Sequence, residues 1–237
     1  ENLIADCLDS LSFCSEIVVI DSISEDSRRE IAEKMGAKVY EHSSEDFSEA
    51  RNFGLKKAVN EWILYADADE RISKELAESI KYYASSIGTE SKSAYRVKRK
   101  NFYFGNYEWP YIERLERLFK KDKLEGWYGK LHESPKVKGA IGELEGYLLH
   151  YTHTDLRAML AKTIEWSKIE AELRYKSGHP KMSWWRFPRV MLTAFFDSYV
   201  GQGGWRVGSV GLIESLYQSF SIFVTYARLC EMQQEKK

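Results

Sequence analysis

Through the first 85 residues, short β-branched runs alternate with stretches of helical periodicity, and this alternation limits the fold more than any other feature. "EIVVID" (16–21), "AKVYEH" (37–42) and "EWILYA" (61–66) read as strands. Between and before them, "ENLIADCLDSL", "SEDSRREIAEKMG" and "FSEARNFGLKKAVN" read as helices, the second with Ser24 as N-cap and Gly36 as C-cap. Such alternation predicts an α/β fold whose sheet is mainly parallel, with right-handed crossovers. The strands are apolar without strict alternation, so both faces of the sheet should be covered. Because a helix, not a strand, feeds "EIVVID", a further strand is expected upstream of residue 1.

The pattern then changes. "SKELAESIKYYASSIG" is a helix expected to close at Gly88. "SAYRVKRKNFYFG", "ERLERLFKK" and "GELEGYLLHYTH" read as strands and hairpins with aromatic, basic faces. From Asp155 the chain turns helical, first in one long amphipathic helix over "LRAMLAKTIEWSKIEAELRYKSG", then through a Trp-rich segment into a last helix from about Val210. This divides the chain into an α/β domain at 1–154 and a helical region at 155–237.

Charge is uneven although the net is −1. Residues 1–90 carry 20 Asp/Glu against 10 Lys/Arg, and residues 96–138 carry 12 Lys/Arg against 6 Asp/Glu. An acidic half that could hold a cation lies beside a basic stretch that could meet an anion, although solvated faces would give the same bias. The three cysteines form no metal-ligand pattern and fit a reducing compartment. No signal-peptide pattern opens the chain, and the longest uncharged apolar stretch, Ser215–Ala227, is too short to span a bilayer. A cytoplasmic location is therefore expected.

The chemistry concentrates where strands end. In open α/β sheets, ligands bind at the carboxyl ends of strands. Asp21 ends one strand, and Asp67, Asp69 and Glu70 end another. An Asp-x-Asp pair can offer oxygens to Mg²⁺ or Mn²⁺, which completes its shell with water and phosphate. The competing role for these acids is to cap the helix that starts near Ser73.

"VVIDSISEDS", "SEARNFGLKKA" and "WILYADADERI", in that order, resemble the successive motifs of the family 2 glycosyltransferases, which have a GT-A nucleotide-sugar-binding fold. "RLFKKDKLEGWYGKLHESP", "LLHYTHTDL" and the carboxyl-terminal "YVGQGGWRVGSVGLIESLYQSFSIFVTY" are similar to the lipopolysaccharide-core β-glucosyltransferase branch. The resemblance implies that Asp21 contacts the nucleoside base, that Arg51 lies near the nucleotide, and that Asp67 and Asp69 serve the metal and donor, with Asp69 the more direct metal ligand. It also implies an inverting transfer from a nucleoside-diphosphate donor, a UDP-sugar for preference, to a lipid-linked or polysaccharide-core acceptor. The departing diphosphate must be neutralised, which a divalent ion does without proton transfer.

The acceptor hydroxyl needs a carboxylate base. Glu133, in "KLHESP", is the first candidate, with Glu113 and Glu116 behind it; an exposed pair with Lys130 is its alternative role. Arg117, in "RLF", has the fork geometry for diphosphate oxygens. His132, His150 and His153 are candidate imidazoles, although a regular strand would let at most one of His150 and His153 face the site. Trp109 and Trp127 are candidates for sugar stacking, with core packing the commoner duty. The tail interleaves aromatic and basic residues, with Leu212, Leu216, Phe220, Phe223 and Ala227 on one helical stripe; it suits either a membrane surface or a homodimer contact. No nucleic-acid partner is expected. A nucleotidyltransferase and a non-catalytic membrane-associated scaffold are the other classes compatible with these residues.

Overall fold

The computed structural model describes residues 2–22, 26–44, 46–85, 92–129 and 133–234. The expected Ser24 cap, the Gly88 stop, Lys130 and His132 lie outside the described residues. The chain divides into two compact units, residues 1–100 with 112–150 and residues 101–111 with 151–237.

The first unit is the mixed α/β body. Helix α1 (Asn2–Ser10) precedes β1 (Val18–Asp21), α2 (Arg28–Lys34), β2 (Lys38–Glu41), α3 (Phe47–Lys57) and β3 (Trp62–Leu64). Strands β1 and β2 pair in parallel, with Asp21 in register with Glu41. Ile4 and Leu8, one turn apart on α1, bury with Ala32 and Ala37 over Val19 and Val39. Asp46 caps α3 by accepting hydrogen bonds from the amides of Ser48 and Glu49.

The parallel pair is completed by antiparallel pairing farther along. Strands β4 (Glu70–Ile72), β5 (Ala94–Tyr103), β6 (Tyr107–Lys120) and β9 (Ile141–Tyr151) join β3 in a five-stranded sheet of order β3-β6-β5-β9-β4. Strand β3 runs antiparallel to β6, and β4 antiparallel to β9. Strands β7 (Leu124–Tyr128) and β8 (Ser134–Val137) form a separate hairpin. Strand β4 was not predicted, since three residues offer no period to read, and neither the β7–β8 hairpin nor the helix over Arg186–Phe196 was singled out by periodicity. Helix α4 (Lys74–Ser85) covers the sheet with Leu76 and Ile80, which bury against Ile72, Tyr95, Val97, Leu118, Leu144 and Leu148.

In the second unit, α5 (Leu156–Lys176), α6 (Arg186–Phe196) and α7 (Gly208–Gln234) are joined by a π-helical turn (Asp197–Gly201) and a 3₁₀ turn (Gly204–Val207). The amphipathic expectation for α5 holds in an unexpected sense. Its buried stripe is Met159, Thr163, Ser167 and Ala171, four residues apart, whereas Leu156, Leu160 and Ile164 are exposed. Helix α7 likewise buries Gly211, Glu214, Ser215 and Ser219 beside Tyr217 in its first half, while Tyr226 and Leu229 farther along join Ala171 and Met182 in an apolar cluster. Hydroxyls knit the two: the Tyr217 hydroxyl donates to the Met159 carbonyl at 2.7 Å and lies 2.8 Å from Thr163 Oγ1. The charge at Glu214, which limits the uncharged run in the sequence, is buried in the unit. Its carboxylate meets His153 Nδ1 at 3.0 Å and accepts from Gln218 at 2.7 Å.

One glycine lets α4 close onto the sheet. Gly146, inside β9, has φ +86, and a Cβ there would lie 2.3 Å from the amide nitrogen of Leu76. On the same strand, His150 stands opposite Glu70 of β4. Gly146→Ala should destabilise the chain by about 1–3 kcal/mol from backbone strain alone, with the clash added. A urea midpoint unchanged from wild type would contradict this packing role.

Candidate functional site

The crowded acids after β3 are matched by arginines drawn from three other elements. Glu70 is fully buried, and its Oε1 accepts from Arg117 Nη2 at 2.9 Å and from Arg99 Nη1 at 3.0 Å. Its Oε2 accepts from the Asp67 amide at 2.9 Å, which folds the acidic turn back on itself. Asp67 Oδ2 accepts from Arg117 Nη2 at 2.9 Å, and Oδ1 accepts from Arg51 Nη2 at 2.9 Å. Arg51 also donates through Nε to Glu133 Oε1 at 3.0 Å. At the far end, Arg99 Nη2 reaches Glu113 Oε2 at 2.6 Å.

None of these acids caps α4. Ser73 does so, its hydroxyl accepting from the Leu76 amide at 3.2 Å. The helix-capping alternative for Asp67 and Asp69 is therefore set aside.

Arg51 is aimed by its surroundings. The next residue, Asn52, bonds the Trp127 backbone twice, donating to the carbonyl at 2.9 Å and accepting from the amide at 2.8 Å. Gly126 (φ +141) makes room for this, because a Cβ there would stand 3.0 Å from Asn52 Oδ1. The Arg51 guanidinium then lies 4.8 Å from the centre of the Trp127 ring and 5.6 Å from that of Tyr65. Trp127 is thus core, as is Trp109, whose Nε1 donates to Gln202 within the second unit.

Electrostatics follow from this pairing. Burial alone would raise the Asp67 pKa, but Arg117 and Arg51 outweigh it and hold the carboxyl well below the usual range. Burial works against the Arg117 charge, while Asp67 and Glu70 strengthen it, so the net shift is upward. Beneath the cluster, Cys7 donates to the Asp67 carbonyl. Burial and the charges of Glu70, Asp67 and Asp69 push its thiol up to about 12. It stays protonated and is not a thiolate ligand.

Asp69 stands apart from the arginines. Its Oδ2 lies 3.2 Å from His150 Nε2, its side chain is 34% exposed, and Oδ1 makes no hydrogen bond among the described residues. His150 is therefore the histidine of the pair that meets the acidic turn, while His153 pairs with Glu214 in the second unit. Asp21 closes β1 at the carboxyl edge of the parallel pair. Glu116 is held by Arg96. Sequence reasoning missed Arg99, hidden in the basic run "VKRK", and the supporting roles of Asn52, Tyr65 and Trp127.

No group of three or more His, Cys, Asp and Glu is gathered for a closed metal site among the described residues. The donors present fit an open one. Asp69 with His150 offers a carboxylate and an imidazole, and a divalent ion can take its remaining ligands from phosphate and water. Asp67 has both oxygens on guanidinium groups and does not share that geometry.

Residues 1–139, more than half of the chain, match the family described as Glycosyl transferase family 2. The chain belongs to the family 2 glycosyltransferases. An uncharacterized glycosyltransferase of Rickettsia prowazekii is 26% identical over 230 residues, covering 92% of this chain and 78% of the relative. The lipopolysaccharide core biosynthesis glycosyltransferase LpsC of Rhizobium meliloti is 26% identical over 244 residues, covering 97% of this chain and 87% of LpsC. Among solved structures, S. aureus TarS 1-349 in complex with UDP-GlcNAc is 14% identical, with a TM-score of 0.47, over all of this chain and 89% of that one.

Membership in the family places the arginine–carboxylate network in the matched segment, since Arg51, Asp67, Glu70, Arg99, Arg117 and Glu133 all fall within 1–139. Removing one partner from a buried ion network leaves an uncompensated charge. Arg117→Leu should therefore cost about 3–5 kcal/mol, read as a lowered denaturant midpoint. The Asp67 carboxyl, with its pKa depressed when folded, contributes stability that is fully present above its ordinary value of 3.8 and falls away as the pH drops further. Asp67→Asn should flatten the acid limb of the stability curve below that pH; an unchanged acid limb would contradict the pairing.

Proposed function

We propose that this family 2 glycosyltransferase moves a sugar, with inversion, from a nucleoside-diphosphate donor, a UDP-sugar for preference, to a lipid-linked or polysaccharide-core acceptor in building the cell envelope. The observation that carries the reading is the Arg51 fork, which joins the Asp-x-Asp turn to Glu133, 66 positions beyond Asp67 in sequence. The relationship to LpsC supports an acceptor of the lipopolysaccharide-core class.

In this reading the reaction forms a bond from the acceptor oxygen to the anomeric carbon as the carbon–phosphate-oxygen bond breaks. Glu133 takes the acceptor proton at Oε2, since Arg51 holds Oε1 and Oε2 makes no hydrogen bond among the described residues. Arg51 is a half-buried, fixed cation for the diphosphate. Arg117, placed between Asp67 and Glu70, acts as a positioning residue that keeps the Asp67 carboxylate in place. Asp21, at the carboxyl edge of β1, serves the nucleoside. Asp69, with His150, would hold a Mg²⁺ or Mn²⁺ ion, and such an ion supplies Lewis-acid neutralisation of the leaving diphosphate.

Asp69→Ala should lower metal-supported transfer by at least about 100-fold while leaving the melting temperature near wild type, because its side chain takes no part in the arginine network. The measurement is transfer or hydrolysis of UDP-sugars with and without Mn²⁺, alongside thermal shift with UDP. Full activity in Asp69→Ala would reject the metal assignment. Absence of any stabilisation by nucleoside diphosphates would reject the donor class.

A further inference from the structure

The second unit buries one apolar cluster, around Met182, Tyr226 and Leu229, yet along α6 and the first halves of α5 and α7 large apolar side chains face outward. Helix α5 buries Thr163, Ser167 and Ala171 and exposes Leu160 and Ile164, the latter at 60%. Helix α7 buries Ser215 and Ser219 and exposes Leu216 and Phe220. Helix α6 buries no residue, and Leu192 and Phe196 on it are each 56% exposed. Burying hydroxyls and small residues between helices while presenting leucine, isoleucine and phenylalanine outward is how helices pack when their surroundings are not water.

Charge selects the kind of surroundings. Residues 181–212 hold Lys181, Arg186, Arg189 and Arg206 against one acid, Asp197. Arg186 and Arg189 flank the Trp185 ring at 5.5 and 5.7 Å, and Arg206 lies 5.2 Å from that of Trp205. Trp184 beside them is 83% exposed. Indole rings carrying guanidinium partners match the headgroup layer, where a ring and a phosphate are met together. An open groove of about 600 Å³ along α6, lined mainly by Leu192, Phe196, Val200 and the stem of Arg189, gives acyl chains a place to lie.

We propose that the second unit docks on an anionic bilayer surface through α6 and the two turns after it, with Leu192 and Phe196 entering the acyl boundary and Arg186 and Arg189 pairing with lipid phosphates. Residues 204–234 are also long and apolar enough to cross a membrane by length and composition, with mean hydropathy 1.2 and 28% of the window buried. In-plane docking accounts better for the chain, because α7 is packed by both α5 and α6 and carries the Glu214–His153 pair. A second copy of the chain is the weaker occupant, since a two-fold contact would set the same cations against each other.

The test is flotation of the full chain with phosphatidylcholine vesicles, with and without phosphatidylglycerol, and it requires no transfer activity. Wild type should float with the anionic vesicles and be released by high salt. Arg186→Ala with Arg189→Ala should weaken partitioning roughly 30-fold, at about five-fold for each cation near the surface. Leu192→Glu with Phe196→Glu should abolish it at unchanged melting temperature, the positions being exposed. Failure of wild type to float, or flotation undiminished in the Leu192/Phe196 variant, would overturn the proposal. So would a stable dimer by light scattering that those substitutions dissolve without any vesicle binding. Resistance to both salt and alkaline extraction would overturn in-plane docking in favour of a spanning α7.

Discussion

Glu70 is the residue on which the first unit's site is built. A carboxylate with no exposure is tolerable only if its charge is met and its lone pairs are used, since desolvation costs several kcal/mol per ion. Arg117 and Arg99 meet the charge, and the Asp67 amide occupies the remaining oxygen. These three contacts hold the acidic turn in one conformation. The same Arg117 nitrogen then reaches Asp67, so the orientation of the more exposed carboxylate is inherited from the buried one. Guanidinium groups therefore separate the like charges that end the apolar strand, and of the three acids Asp69 alone lies off the arginine network, with an imidazole at its side.

Much of the frame was legible because it depends on local patterns. The strand–helix alternation up to Lys57, the helical periodicity of α5 and the Asp-x-Asp turn can all be read from neighbours in sequence. Arg51, Asp67 and Glu133 were singled out from separate motifs, and folding brings them within one guanidinium's reach. What could not be read depends on long-range pairing. The β4 strand exists because Glu70–Ile72 finds β9, not because three residues favour a strand. Arg99 looked like part of a solvated basic face, because no periodicity reveals that a side chain turns inward toward a carboxylate 29 positions away. For α5, periodicity identified which residues share a face but not which face is covered.

That last point separates the two units by their packing chemistry. The first buries Leu, Ile, Val and aromatic side chains, and its buried charges, Glu70 and Arg117, belong to the ionic network. The second keeps a smaller apolar cluster around Met182, Tyr226 and Leu229, and adds polar helix contacts at Thr163–Tyr217, Ser198–Ser215 and Glu214–His153. Small and hydroxyl side chains let helix backbones approach closely, and the hydrogen bonds replace the apolar area that such residues lack. A sequence rule that equates apolar with buried would misplace Leu160 and Ile164 on α5 and Leu212, Leu216 and Phe220 on α7, all of them exposed. Helical periods are indifferent to solvent, and only the partners of each stripe reveal what lies outside it.

The sharing of Arg51 between two carboxylates ties the Asp-x-Asp turn to Glu133 in the first unit. Its Nη2 faces Asp67 and its Nε faces Glu133, while the Trp127 ring limits movement of the guanidinium plane. A planar fork fixed on one side by an aromatic face and along its edge by two carboxylates has little freedom left to lose when a ligand arrives. A lysine could satisfy either acid but not both at once in one plane. The Asn52 clamp on Trp127 explains this precision in mid-helix, since the arginine and the ring are carried by α3 and β7 respectively, which the clamp joins directly. Preorganisation of the candidate site thus comes from two adjacent residues of α3: Asn52 fixes the platform, and Arg51 uses it.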